Sequence, residues 1–116
     1  MHETAFIAAT DATFERIGLA LDAALETSDA DIDWNLTDGV LTIECEDGSK
    51  IIVNRHVPNR EIWVAAKSGG FHFRADHGHW RDTRGHDDLA TALTRLLKSQ
   101  ARVGLRLPDL SAPQER

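Results

Sequence analysis

Apolar positions recur in two rhythms along this chain, helical towards both ends and alternating in between. Phe6, Thr10, Phe14, Ile17, Leu21 and Leu25 follow one another at intervals of three and four. At about 100° per residue these positions share one stripe of a helix predicted over residues 3–27. Asp31 to Leu36 then alternates polar and apolar, as a half-buried strand does. Asp38-Gly39 supplies a tight turn into a second strand, Val40 to Glu46, and Asp47-Gly48 a second turn. The third strand runs from Lys50 to Arg55, with Ile51 and Val53 on one face and Ile52 and Asn54 on the other. Pro58-Asn59 breaks the chain before a fourth strand, Glu61 to Ala66. Gly69-Gly70 turns into Phe71–Arg74, and Asp76-His77-Gly78-His79 turns into Trp80–Thr83. The helical period returns from Asp87 to about Arg102, with Leu89, Leu93, Leu96 and Leu97 as its apolar stripe.

Short hairpin connections make consecutive strands antiparallel neighbours. The predicted fold class is therefore α+β. It is a two-layer sandwich, an antiparallel sheet of five or six strands with the N- and C-terminal helices packed on one face. The other sheet face is left to solvent or to a partner. Residues 1–107 are expected to form the single domain, with Val103–Leu107 extended and 108–116 a frayed tail.

Charge changes this picture more than composition does. The net charge is −6, but residues 1–47 hold twelve acids against Arg16 alone, a net of −11, and the remainder carries +5. Such polarity suits cations or basic protein partners and opposes nucleic acid as the main ligand. Cys45 is the only cysteine, so neither an internal disulfide nor a cysteine-rich metal site is available. It shares a strand face with Leu41 and Ile43 and is expected to be a buried, inert thiol. The opening Met1-His2-Glu3-Thr4 has no basic or apolar leader character, and no apolar run is long enough for a membrane span. A cytoplasmic protein, monomeric without metal, is the expectation.

The most prominent chemical feature is a line of carboxylates. Asp11, Glu15, Asp22 and Glu26 fall within an arc of about 60° on a helix edge separate from the apolar stripe. Asp29 continues the line through the connection, Asp31 and Asp33 along the first strand, and Glu44 and Glu46 extend it from the second. Carboxylate oxygens suit hard cations such as iron, manganese, calcium or magnesium. Spread over an exposed surface, these groups would bind weakly, at several sites and with strong dependence on salt. The plainer alternative is a solvated acidic face that keeps the protein soluble. His77 and His79 flank a glycine in a predicted turn, with His72 and His86 nearby in sequence, and two such imidazoles can share a transition metal or simply form a polar turn. Trp63 lies between Ile62 and Val64 and is therefore predicted on the open sheet face, with Asn54 and His56 beside it on the neighbouring strand. An indole placed there marks an interaction surface, or packs on the stems of Arg74 or Lys67. No nucleophile-and-base motif, phosphate loop or HExxH motif is present.

Taken together, Asp38-Gly39-Val40-Leu41-Thr42-Ile43, Gly48 to Arg55, Pro58, Glu61-Ile62-Trp63-Val64-Ala65, Gly69-Gly70-Phe71-His72-Phe73 and Trp80 resemble the centre of bacterial frataxins, the CyaY family, over about residues 3–107. The resemblance implies a flat sheet on two helices and a non-enzymatic role in iron–sulfur cluster assembly. It further implies weak surface binding of Fe²⁺ or Fe³⁺ along the acidic ridge, with no organic cofactor, and docking of that ridge on the cysteine desulfurase IscS. The cluster scaffold is a further implied partner. Asp22, Asp31 and Asp33 match acidic positions of the family pattern, while Asn54, His56 and Trp63 match its exposed sheet face. Gly18, Leu19 and Ala23 stand where relatives often carry acids, Asn35 replaces an acid after Trp34, and His56 stands where glutamine is usual. Glu15, Glu26 and Asp29 are then expected to share the work of the ridge. Two alternatives remain at this level: an acidic interaction module that uses no metal, and a ferroxidase.

Overall fold

The apolar stripes expected at both ends of the chain close over one face of a single sheet in the computed structural model, which describes residues 1–108 and 110–113. Helix α1 spans Glu3–Glu26. Six strands follow: β1 (Asp33–Thr37), β2 (Val40–Glu44), β3 (Lys50–His56), β4 (Glu61–Ala66), β5 (Gly69–Asp76) and β6 (His79–Asp82). Helix α2 (Leu89–Leu96) continues into a π-helical turn over Leu97–Ala101. The strands lie in the order β1-β2-β3-β4-β5-β6, every neighbouring pair antiparallel. This is the expected α+β sandwich, with six strands.

Turn chemistry sets the register. Asp38 and Gly39 both have positive φ (51° and 75°), as do His77 and Gly78 (51° and 83°), the geometry of two-residue hairpin turns. The β4–β5 turn is made by Lys67-Ser68 rather than by the following glycines, because Ala66 pairs directly with Gly69. Strand β1 begins at Asp33 and β2 ends at Glu44, so Asp31 and Glu46 lie in the flanking connections.

Core side chains follow the predicted alternation. Leu41, Ile43, Ile51, Val53, Ile62, Val64, Phe73 and Trp80 point from the sheet into the core and are buried. Phe6, Phe14, Ile17 and Leu21 of α1, with Leu89, Leu93, Leu96 and Leu97, cover them. Each such side chain contributes about 1.5–3 kcal/mol by leaving water. Phe6 meets Trp80 edge-on at a centroid distance of 6.1 Å, and the buried Thr13 hydroxyl accepts from Trp80 Nε1 at 3.3 Å. Cys45 is buried, as its strand face required.

At the C-terminal end Arg102 adopts left-handed geometry and stops the helix, and Val103 N–H closes the turn on Leu97 O at 3.0 Å. The expected fraying from residue 108 is not what residues 110–113 do. Leu110 and Ala112 are buried, Ala112 N–H donates to Gly78 O at 2.8 Å, and Ser111 bridges His79. The physical reason is that two apolar side chains at alternate positions find the core while their backbone covers the edge strand β6. Asp109 and residues 114–116 of that tail lie outside the described residues.

Candidate functional site

Two polar regions result from this scaffold, one along the α1–β1 border and one across the open sheet face. The first contains the predicted ridge. Glu15, Asp22, Glu26, Asp29, Asp31, Asp33, Glu44 and Glu46 are all exposed. Asp33 and Glu44 lie directly opposite each other across β1 and β2 and share the outer face. Like charges so placed repel, and the register sets Lys50 opposite Glu44 on its other side. Among the described residues, no three side chains of His, Cys, Asp or Glu converge in a way that could hold a metal ion. The donor set suits hard cations, and its arrangement is an open field rather than a cage.

Two ridge-edge carboxylates are tied into the fold. Asp11 accepts from the Arg55 guanidinium at 2.5 Å, and Arg55, pointing inwards from β3, is only 19% exposed. Asp22 Oδ1 accepts from Trp34 Nε1 at 2.8 Å. Trp34 reaches Asp22 because Gly18 leaves room: a Cβ on Gly18 would stand 2.5 Å from the indole. The mid-helix glycine, a small liability for helix stability, is therefore a packing requirement. Sequence reasoning missed both ties; the signal was a glycine one turn before Asp22 on a helix otherwise free of breakers.

On the open face the register pairs Asn54 with Trp63 and Trp63 with His72. Trp63 does sit on this face with Asn54 and His56, as the alternation required. Its flat ring faces are taken by two imidazoles. His56 stacks on one side of the indole at 3.8 Å and His72 on the other at 4.3 Å, both within 7° of parallel. Trp63 Nε1 donates to Glu61 Oε1 at 2.9 Å, and Arg74 donates to Glu61 Oε2 at 2.5 Å. Glu61 is 4% exposed. Burial pushes its carboxyl up, but the Trp63 and Arg74 donors, with the nearby His72, outweigh this and hold it below the usual carboxylate range. Glu61 was not singled out in the sequence, His72 stood there only beside the His77–His79 turn and Arg74 only as a stem for Trp63, although strand alternation places all three on Trp63's face. Both faces of the indole and its N–H are thus engaged within the chain.

The remaining predicted ligands are dispersed. His77 is exposed in its turn with Nδ1 at 2.5 Å from Asp76 Oδ1, while His79 lies on the sheet opposite Asp76. His86 is exposed and its carbonyl accepts from Arg81 at 3.3 Å. At the far end of the sheet, Asp47 is held below the usual carboxylate range by hydrogen bonds from the Lys67 ammonium and from Ser49.

A helix with an acidic edge, a six-stranded antiparallel meander and a closing helix define a frataxin-like protein, and the family model for the frataxin-like domain matches residues 1–103. The chain belongs to this family, in its CyaY branch. Among its relatives, the "Iron-sulfur cluster assembly protein CyaY" of Cupriavidus metallidurans is 46% identical over 107 residues, covering 92% of this chain and 96% of the relative. The protein of the same description from Dechloromonas aromatica is 51% identical over 102 residues, covering 87% and 93%. A solved frataxin of the CyaY family from Psychromonas ingrahamii superposes with a TM-score of 0.80 at 28% identity, covering 97% of this chain and all of that one.

Proposed function

We propose that this chain is a non-enzymatic iron-handling regulator of iron–sulfur cluster assembly, acting through the acidic border of α1 and β1. The observation that carries the reading is the exposed run of carboxylates from Glu15 to Asp33, with Glu44 and Glu46, in a family whose relatives are described as iron–sulfur cluster assembly proteins. Iron is the cargo here. It meets hard oxygen donors in an open field, which favours weak, exchangeable binding at several positions over capture in a fixed cage. The same field attracts a basic protein surface, in this reading that of the cysteine desulfurase IscS. Bound iron cancels part of the field, so metal load and partner affinity are coupled, and the coupling is reciprocal. The cluster scaffold is the second proposed partner, approaching the sheet face that carries Asn54, His56 and Trp63. The cytoplasm is the proposed compartment, and the metal-free chain the proposed monomer.

The double variant Asp22→Lys with Asp31→Lys tests the shared border. Isothermal titration with Fe²⁺ under anaerobic conditions, and separately with the desulfurase, is expected to show both affinities falling by about tenfold or more. Unchanged affinities would remove the border from the account. Loss of desulfurase binding with iron binding intact would leave a metal-independent docking module.

A further inference from the structure

We propose that the groove between α1 and β1 receives an apolar side chain presented by a basic surface of the protein partner, so that docking is anchored by burial as well as steered by charge. The proposal rests on the reading that this border docks a basic partner, and adds to it a specific contact. Leu19 is 69% exposed, the only large hydrophobic side chain so exposed among the described residues. By the helical step it lies on the acidic edge itself, one turn after Glu15 and one turn before Asp22. Across from it, the half-buried Trp34 and Leu36 of β1 complete an open groove of about 520 Å³ lined by Glu15, Leu19, Trp34, Asn35 and Leu36.

A single exposed leucine needs no explanation on its own. Here it stands against a tryptophan whose orientation is fixed twice, by the 2.8 Å hydrogen bond to Asp22 and by the close approach of Gly18. A rigid apolar wall lowers the ordering needed on binding. The rim supplies the occupant's other property. Glu15 and Asp22 flank the groove, Asp11 and Glu26 continue the edge, and residues 1–47 carry a net of −11. The complementary partner is a helix or loop bearing Leu, Met or Phe between Lys or Arg residues. A second copy of this chain would bring the same negative rim and is opposed by like charge.

The test compares the full-length chain with Leu19→Ala and Leu19→Glu for binding to the purified cysteine desulfurase, at low and moderate salt. Leu19→Ala is expected to weaken binding by about tenfold, and the ratio to persist in salt because burial is not screened. Leu19→Glu is the decisive variant: a purely electrostatic border gains from the added charge, whereas the groove loses its apolar wall and binds more weakly. Thermal unfolding close to that of the unaltered chain establishes that both variants are folded, as expected for an exposed position. The Trp34 indole N–H resonance is expected to shift in the unaltered complex. Equal or tighter binding by Leu19→Glu, together with a loss for Asp22→Lys/Asp31→Lys, overturns the groove while the charged border stands. No binding by the unaltered chain overturns both. Self-association abolished by Leu19→Ala assigns the groove to a second copy and overturns the proposal as well.

Discussion

The carboxylates of this protein live in two contrasting settings. On the open sheet face Glu61 is buried, with Arg74 and the Trp63 N–H on its oxygens and an imidazole on each side of the indole. Along the α1–β1 border, Glu15, Glu26, Asp31 and Asp33 stand in water. A carboxylate whose lone pairs are filled inside the fold is part of the structure, and removing it leaves donors stranded. A carboxylate kept in water has its lone pairs available to an incoming cation or a basic surface. The comparison assigns stability to the buried Glu61 and its donors and, under the proposed function, metal and desulfurase recognition to the border, with Asp22 standing between the two through its bond to Trp34.

Replacing Glu61 is the harshest way to break that assignment. Glu61→Ala strands the Trp63 N–H and loosens the His56–Trp63–His72 stack, and is expected to destabilise the fold by about 2 kcal/mol in urea unfolding. Asp31→Ala, on the border, is expected to fall within about 0.5 kcal/mol of the unaltered chain. Comparable losses at the two positions would erase the distinction. Gly18→Ala has the next largest effect. The methyl gains about 1 kcal/mol in helix propensity but drives into the Trp34 ring, where overpacking costs about 1–3 kcal/mol. A net loss of about 1 kcal/mol, with a displaced Trp34 indole resonance, is expected; a stabilised protein would mean that the ring moves aside freely.

Asp22→Asn sharpens the comparison at its meeting point. The amide oxygen still accepts from Trp34, so stability is expected to change by less than about 0.5 kcal/mol while Fe²⁺ affinity falls. Equal losses in both would make Asp22 a structural group only. The smallest expected effect is a pH dependence. Glu61 titrates below its unfolded value, so its contribution is complete above the ordinary carboxylate range and is lost as pH falls through the lowered value. Unfolding measured between neutral pH and acid should therefore have a shallower acid limb in Glu61→Gln. Identical limbs would show that Glu61 does not drive the acid loss.

Much of this was legible in the sequence because period and turn chemistry act locally. The stripe Phe6–Phe14–Ile17–Leu21, the Asp38-Gly39 turn and the alternation around Trp63 all encode their places without reference to distant residues. What stayed hidden depended on contacts between elements. Gly18 reads as a weak helix position until Trp34, sixteen residues away in sequence, is packed against it. Arg55 alternates inwards, and only the helix above shows that Asp11 meets it. His72 becomes one side of an aromatic stack only once β4 and β5 are in register. Leu110 and Ala112 look like part of a polar tail until the free edge of β6 gives their backbone a partner. The border's outline was readable from charge spacing alone, while which carboxylates are already engaged was not.

The most direct test of the border as the recognition surface is an anaerobic Fe²⁺ titration followed by amide NMR shifts, repeated in moderate salt. Salt-sensitive shifts over Glu15–Asp33 and Glu44–Glu46, with Glu61 and the stacked aromatic residues unmoved, are the predicted result. Shifts centred on His72, His77 and His79, or none at all, would contradict it.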